Sequence, residues 1–194
     1  MLDTAEHLFS ERGVSRCSLN EIAQTANLTR GAVYWHFENK ADLLKALWER
    51  VALPIQQAFE QVDLKQANDP LSRIRHKACW MASHIEHDHH INAMMNILLL
   101  RCEFTDETES ARAHFRGVRE ECLSKMAEDF RLAIKAGQLP ATLDAEGSAL
   151  GLFGLVDGLC FHWLIDPKRF AIKAHTLNAV DAYLMGLAGL ARTN

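Results

Sequence analysis

Two helix-capping signals separated by a short turn constrain the fold of this chain more than any other feature. Ser18 is followed three residues later by Glu21, and this pair predicts a capping box at the start of a helix. Residues 19–23 then place apolar side chains on one face of that helix. Asn27 breaks the pattern, and Thr29 is suited to cap a second short helix. The segment therefore predicts a helix–turn–helix.

The second of these helices begins with a group suited to contact nucleic acid. In a helix–turn–helix the second helix lies in the major groove, with its N-terminal residues nearest the base edges. Arg30 occupies that end, and arginine is the commonest side chain to contact guanine specifically. The motif therefore predicts binding to double-stranded DNA.

The remainder of the chain also predicts helices, because the alternating pattern of strands is absent from it. We expect an all-α protein with an N-terminal three-helix head and a larger helical body. The domain boundary is predicted inside the fourth helix, between a domain of residues 1–46 and a domain of residues 47–194. Beside the helix–turn–helix, the predicted helices span residues 2–11, a long fourth helix after Asn39, 71–86, 91–104, 107–136, 144–165 and 175–190.

Composition and charge indicate the cellular compartment and the kinds of partner that the protein has. Five widely spaced cysteines without a CxxC pair predict reduced thiols in a cytoplasmic protein, and no signal peptide is recognisable. The longest apolar run, Leu150–Ile165, is interrupted by Asp157 and is shorter than the roughly 20 residues of a membrane span. We therefore predict no membrane partner. Residues 1–50 hold six basic and seven acidic side chains, so DNA contact must depend on locally placed cations.

Sequence motifs of catalysis are also missing. No GxSxG, HExxH or phosphate-binding loop occurs in the chain, so we predict neither an enzyme nor a cofactor. Two alternatives to a DNA-binding protein stay open: a helical enzyme with an apolar cavity, and a scaffold that binds only other proteins.

The segment Thr29–Phe37, with Glu21–Ala23 before it and Asn39–Leu43 after it, resembles the DNA-binding head of TetR-family transcriptional repressors. More loosely, Arg101–Asp106 and Val156–Leu159 are similar to the multidrug-efflux branch of that family. The resemblance implies a homodimer that binds a palindromic operator and is released by a hydrophobic or aromatic small-molecule inducer. It also implies that the regulated genes encode a multidrug efflux pump.

The resemblance places the DNA contacts around the second helix of the motif. Gly31 would allow the helix to approach the groove closely, and Lys40 lies at a helix start, where the dipole favours a phosphate. Val33 and Phe37 belong to the core in either interpretation. The predicted DNA-binding residues are Ser18, Thr29, Arg30, Gly31, Tyr34, Trp35, His36 and Lys40.

Apolar and polarisable residues at helical spacing in the body are compatible with an adaptable binding cavity. The same spacing is typical of an ordinary core, and the resemblance favours the cavity only for the group as a whole. The predicted ligand-binding residues are Val51, Ile55, Ile74, Ala78, Met81, Met95, Leu98, Leu99, Cys102, His114, Phe115, Val118, Cys122, Phe153, Val156, Asp157 and Cys160.

Asp157 lies within the apolar run, where a carboxylate needs a partner. It is either a polar anchor for a ligand or a structural partner of Arg101, His114 or Arg119, and the sequence does not separate these readings. Four histidines between residues 84 and 90 are too loosely spaced for a zinc site, and we predict a polar interhelical turn there.

Small residues and an aliphatic stripe predict a four-helix dimer interface built from the last two helices. The alternative is that these helices pack only against their own body. The predicted interface residues are Gly151, Gly154, Gly158, Leu177, Val180, Leu184 and Leu187. Pro54 lies in the element that joins head and body, and we expect it to set a bend through which a ligand acts on the head.

Overall fold

The computed structural model describes residues 1–190, and these residues form nine α-helices and no strand. The all-α prediction is confirmed. The last four residues of the predicted second domain, 191–194, lie outside the described residues. The helices are α1 (Leu2–Arg12), α2 (Leu19–Thr25), α3 (Arg30–Tyr34), α4 (Lys40–Lys65), α5 (Pro70–His84), α6 (His89–Asn96), α7 (Glu109–Lys135), α8 (Ala145–Ile165) and α9 (Ile172–Gly189).

Local capping chemistry sets the helix starts of the motif. The Ser18 hydroxyl accepts the Glu21 N–H at 3.2 Å, and the Glu21 carboxylate accepts the Ser18 N–H at 2.9 Å. These hydrogen bonds hold the pKa of the exposed Glu21 carboxyl below its usual value. Thr29 caps α3 through its contact with the Ala32 N–H at 3.2 Å, and Asn27 makes the turn with a positive φ of 53°.

The helix predicted over residues 91–104 is shorter than expected. The α-helix ends at Asn96 and passes into a π-helical turn, Ile97–Arg101, after which Cys102 is extended. A short 3₁₀ turn, Asp106–Thr108, precedes α7. Where the helical segment ends, the Arg101 carbonyl accepts a hydrogen bond from the Val14 N–H at 3.0 Å.

The chain divides into two compact units, and the domain boundary between residues 46 and 47 stays a prediction. The first compact unit comprises Met1–Ile55 and Asp88–Val118. In it α1 contacts α2, α6 and the π-helical turn. The carboxylate of Glu6, 2% exposed, is paired with Arg50 and with His90 Nδ1 at 3.1 Å. Polar side-chain contacts therefore hold α1 to α4 and α6.

The second compact unit comprises Gln56–His87 and the chain from Arg119 onward. Here α9 packs on α5 and α8 around a hydrophobic core that includes Ile74, Phe130 and Leu152. Arg73 Nε lies 2.8 Å from Asp129, and the two side chains are nearly buried. Burial raises the pKa of the Asp129 carboxyl, although Lys77 and Arg73 act against it.

Helix α8 is more apolar than the others. It has 21 residues, and an 18-residue window of it has a mean hydropathy of 1.6, so that by length and composition alone it is able to cross a membrane. This is weak evidence, because the core helix of a folded body has the same properties. Here α8 contacts α5 and α9 within its unit.

Candidate DNA-binding, ligand-binding and dimer sites

Helix α3 presents most of its side chains to solvent. Val33 is fully buried and anchors the helix, whereas Tyr34 is 41% exposed and Trp35 is 84% exposed. The Arg30 guanidinium lies 5.0 Å from the centre of the Tyr34 ring, and His36 is also exposed. The helix therefore places a cation, two aromatic rings and an imidazole on one exposed segment.

Gly31 and Thr29 fit a close approach by a partner. A Cβ atom on Gly31 would meet no protein atom within 4 Å, so the fold itself does not require glycine there. Thr29 is exposed, and its oxygen caps α3. Ser18 is exposed too, but its hydroxyl accepts the Glu21 N–H and donates to the Glu21 carboxylate at 3.0 Å. Its donor is therefore used inside the capping box.

The Lys40 side chain makes contacts inside the protein that the sequence did not predict. Its side chain is only 8% exposed, and Nζ donates to the Val14 carbonyl at 3.2 Å and pairs with Glu107 at 3.0 Å. The ammonium therefore has partners within the protein in this structure, and a phosphate contact by Lys40 stays a prediction. The prediction missed this arrangement because Glu107 is 67 residues away in the sequence.

The predicted ligand-binding residues are divided between the two compact units. Of these, Val51, Ile55, Met95, Leu98, Leu99, Cys102, His114, Phe115 and Val118 belong to the first unit, and Ile74, Ala78, Met81, Cys122, Phe153, Val156, Asp157 and Cys160 belong to the second. Ile74 and Ala78 are part of the hydrophobic core, with Val156 packed against it. These three residues thus contribute to the core of their unit, and their contact with a ligand stays a prediction.

An aromatic cluster in the first unit contains two of the predicted residues. The Phe115 ring lies 5.9 Å from the Trp48 ring, 6.3 Å from the Phe104 ring and 5.6 Å from the His114 ring. His114 Nε2 is buried without a hydrogen-bond partner. A buried ring nitrogen without a partner is costly, so this atom is a candidate contact for a polar ligand group.

Of the three structural partners that the sequence allowed for Asp157, the structure shows Arg119. Arg119 Nη2 contacts the Asp157 carboxylate, and the guanidinium carbon lies 5.6 Å from the centre of the Phe153 ring. Burial raises the pKa of the Asp157 carboxyl in spite of Arg119. Burial also raises the pKa of the Cys102 thiol to about 11 and that of Cys160 to about 12.

The histidines between residues 84 and 90 make contacts with other side chains and with the backbone. His84 Nδ1 lies 2.8 Å from the Trp80 carbonyl oxygen, and its ring stacks on the Trp80 ring at 3.9 Å. His89 and His90 lie beside Glu6. Across residues 1–190 no group of three or more His, Cys, Asp or Glu side chains is arranged to hold a metal ion.

The predicted dimer residues need a correction. Val180 is fully buried and Leu184 is 5% exposed within the core of their own unit, so neither is presented to a second copy. Helical periodicity marks an apolar stripe but does not tell whether a protomer or a partner covers it. Leu187 also packs against this core, and Leu177 is half-buried.

The glycines of α8 also differ in whether a side chain of the same protomer lies against them. A Cβ atom on Gly151 would lie 2.6 Å from Tyr183 Oη. The missing side chain of Gly151 therefore leaves room for Tyr183 of the same protomer. A Cβ atom on Gly154 or Gly158 would meet nothing within 4 Å. The exposed large apolar side chains of α8 and α9, which the sequence analysis did not select, are Leu150, Phe161, Ile165 and Met185.

Two surface grooves are lined by residues other than the predicted ligand-binding residues. One is lined by Arg16, Tyr34 and Asn39, among other residues of the first unit. The other is lined by Leu71, Arg75 and Asp181, among other residues of the second unit.

Comparisons with known proteins agree with the motif and also match most of the remaining chain. Residues 1–47 match the model of bacterial regulatory proteins of the tetR family, and residues 69–188 match the C-terminal region of MAATS-type transcriptional repressors. The chain is 34% identical over 184 residues to the HTH-type transcriptional regulator AcrR of Shigella flexneri, which covers 95% of this chain and 86% of AcrR.

Two solved structures share the fold at similar identity. One is NalD, the secondary repressor of the MexAB-OprM multidrug efflux pump in Pseudomonas aeruginosa, with 30% identity, a TM-score of 0.86 and coverage of 96% of this chain and 93% of NalD. The other is a complex of SmeT with triclosan, with 31% identity, a TM-score of 0.82 and coverage of 95% of this chain and 88% of SmeT. SmeT is the repressor of the Stenotrophomonas maltophilia multidrug efflux pump SmeDEF. This chain therefore belongs to the TetR family of bacterial transcriptional regulators and is a repressor of the multidrug-efflux type.

Proposed function

We propose that this cytoplasmic repressor binds a palindromic operator as a homodimer and is released from it by hydrophobic small molecules. The exposed surface of α3 is the observation that carries the proposal. Val33 fixes the helix from inside, and Arg30, Tyr34, Trp35 and His36 face solvent. We assign DNA binding to the domain of residues 1–46, with Thr29, Arg30 and Gly31 nearest the bases.

The second half of the proposal is a symmetric dimer formed through α8 and α9. Leu150 is 61% exposed and Ile165 is 59% exposed, and aliphatic side chains of this size are expected to be covered in a stable assembly. Gly154 and Gly158, which have open space beside them, would allow the α8 helices of two copies to approach closely. A two-fold dimer presents two α3 helices, which explains why we expect a palindromic operator.

Ligand binding is assigned to the body, residues 47–194, by similarity to the repressor that forms a complex with triclosan. The aromatic cluster of Trp48, Phe104 and Phe115 supports an aromatic ligand, and His114 Nε2 supports one with a polar group. By the same similarity, the regulated genes would encode a multidrug efflux pump. We keep Pro54, which lies inside α4, as the predicted bend through which the ligand acts on the head.

A selection on genomic DNA tests the two activities together. The purified protein is incubated with a pool of upstream fragments across a salt series, with and without triclosan. We expect enrichment of a palindrome, steep salt dependence, and release by the compound. Arg30→Ala should lose the enriched fragment while it keeps the fold.

The outcomes separate the parts of the proposal. A palindrome that neither triclosan nor a panel of other hydrophobic drugs releases would remove the inducer from it. Absence of any sequence preference in the wild-type protein would remove the operator.

A further inference from the structure

The two ends of α4 differ in how deeply their side chains are buried. Every buried residue of α4 lies between Lys40 and Val51, and none lies among residues 56–65, which we call the distal α4 segment. This segment belongs to the second compact unit. A helical segment with few buried side chains opens at a low free-energy cost. A small number of side-chain contacts therefore decides whether the distal α4 segment stays in place.

One of these contacts is aromatic. The Phe59 ring lies 6.1 Å from the Trp80 ring of α5 in an edge-to-face arrangement, and both side chains are half-buried. Lys77 Nζ, also on α5, lies 6.0 Å from the centre of the Phe59 ring. Phe59 therefore directs one face of the distal α4 segment towards α5.

Asp63 follows Phe59 by one turn and lies on the same face of the helix. Its Oδ1 lies 2.5 Å from Lys77 Nζ and 3.5 Å from Arg73 Nε. The two cations belong to α5 and are each 10% exposed, whereas the Asp63 side chain is 43% exposed. One half-exposed carboxylate thus joins the distal α4 segment to two nearly buried cations.

Asp129 of α7 contacts the same two cations from the buried side. Its carboxylate lies 2.8 Å from Arg73 Nε and 3.0 Å from Lys77 Nζ, and it is 7% exposed. A buried cation is costly to leave without a partner. Because Asp129 holds both cations, departure of Asp63 leaves neither of them unpaired.

The two carboxylates also repel each other. Burial raises the pKa of the Asp129 carboxyl, and the nearby charge of Asp63 raises it further, although Lys77 and Arg73 lower it. Departure of Asp63 therefore removes a repulsion together with an attraction. The net free-energy cost of breaking the Asp63 contact is small for this reason.

We propose that Asp63 holds the distal α4 segment on α5 by a releasable ion-pair contact, which breaks when an inducer releases the repressor from DNA. The proposal rests on the proposed function and assigns one element of its regulation. Asp63 is a positioning residue in this role, because it acts through Lys77 and Arg73 rather than through the inducer. The carrying observation is that one half-exposed acid shares two buried cations with a buried acid.

A releasable contact predicts unequal effects on two affinities. Asp63→Asn raises the population of the released form, which the inducer binds, while the held form that binds DNA still dominates. We expect the triclosan concentration for half-release of the operator fragment to fall by about two- to fivefold, the range of a partly exposed ion pair. The affinity for the fragment without triclosan should stay within about twofold of the wild type.

Glu60→Gln is the matched control, because Glu60 is an exposed acid of the same segment and accepts a hydrogen bond from Gln56 at 3.0 Å. Fluorescence anisotropy with the selected fragment measures both quantities for the three proteins. Equal behaviour of Asp63→Asn and Glu60→Gln would overturn the proposal. So would a loss of fragment affinity as large as the change in the triclosan concentration, because that pattern indicates a general loss of structure.

Hydrogen–deuterium exchange examines the contact without DNA or triclosan. We expect faster exchange of the amides of residues 59–65 in Asp63→Asn and wild-type exchange in Glu60→Gln. Unchanged exchange in Asp63→Asn would overturn the proposal. If triclosan does not release the wild-type protein although the fragment binds, the inducer part of the proposed function fails and the regulatory role of Asp63 fails with it. The exchange rates would then still show whether Asp63 holds the distal α4 segment.

Discussion

The α3 segment and the α8–α9 pair both expose large apolar side chains to solvent, but the residues around those side chains differ in polarity. Trp35 is 84% exposed beside Arg30 and His36, whereas Met185 on α9 is 74% exposed and Leu150 on α8 is 61% exposed. Aromatic rings with polar edges near a guanidinium and an imidazole suit a charged, hydrated partner such as DNA. Aliphatic side chains beside glycine suit a second apolar surface.

The comparison teaches that exposure alone does not identify a partner. The neighbours of an exposed apolar group decide which partner it suits, because they set the polarity that the partner must match. Four changes, in order of decreasing expected effect, test whether the two surfaces have the separate roles proposed for them.

The largest effect is expected from a charge on α8. Leu150→Glu should raise the dissociation constant of the dimer at least about 100-fold, because each buried unpaired carboxylate costs several kcal/mol. Leu64→Glu is the control, since Leu64 is 73% exposed on α4. Sedimentation equilibrium measures both variants. Equal changes in the dimer dissociation constant for the two substitutions would contradict a dimer interface on α8.

Next in size is the loss of Arg30. Arg30→Ala should weaken binding to the selected fragment by about 10- to 100-fold, because a specific arginine–guanine contact is worth about 1–3 kcal/mol. The thermal midpoint and the dimer should not change, since Arg30 is exposed. Arg12→Ala, another exposed arginine of the same unit, is the control in fluorescence anisotropy titrations. Unaltered binding in Arg30→Ala would contradict the assignment of α3.

A smaller effect distinguishes two glycines on α8. Gly151→Ala should lower the free energy of unfolding by about 1–3 kcal/mol, because the new methyl group overlaps Tyr183 Oη and overpacks the contact. Gly154→Ala should keep the fold, because it has open space, and should weaken only the dimer. Urea unfolding and sedimentation measure the two quantities. A dimer defect in Gly151→Ala alone would reverse this assignment.

The smallest effect concerns pH and Asp157. Because burial raises the pKa of this carboxyl above 3.8, the folded state binds the proton more tightly than the unfolded state. Its ionisation therefore lowers stability as pH rises from about 3.8 through the raised pKa. Asp157→Asn should gain stability relative to the wild type over that interval and keep a constant difference above it.

Urea unfolding at several pH values between 3 and 7 checks this expectation, and a difference independent of pH would contradict it. The same variant separates the two roles of Asp157. Wild-type affinity for triclosan would leave Arg119 as the relevant partner, whereas a loss of affinity would make Asp157 a ligand anchor.

Local chemistry made much of the fold predictable from the sequence. The caps at Ser18 and Thr29 depend on residues three positions apart, and the structure confirms both. Asn39 likewise accepts the Asp42 N–H at 3.1 Å. The start of α8 follows the same rule, since Asp144 accepts the Gly147 N–H at 3.1 Å.

Features that depend on distant contacts were not predictable in this way. The helix expected through residue 104 stops earlier, at a carbonyl bonded to Val14. Lys40 turns inward towards an acid that lies in another part of the sequence. On α9 the spacing of Val180 and Leu184 marked an apolar stripe, but only the packing of α5 and α8 shows that their own unit covers it.

The exposure of Trp35 also allows DNA binding to be followed by intrinsic tryptophan fluorescence. Trp35 is the most exposed of the four tryptophans, and Trp48, Trp80 and Trp163 are half-buried or buried. An indole in water emits at longer wavelength than one in an apolar core, so the long-wavelength side of the emission band reports mainly on Trp35. Binding of an operator at α3 should then shift and quench that emission, and a titration would need no dye on either molecule.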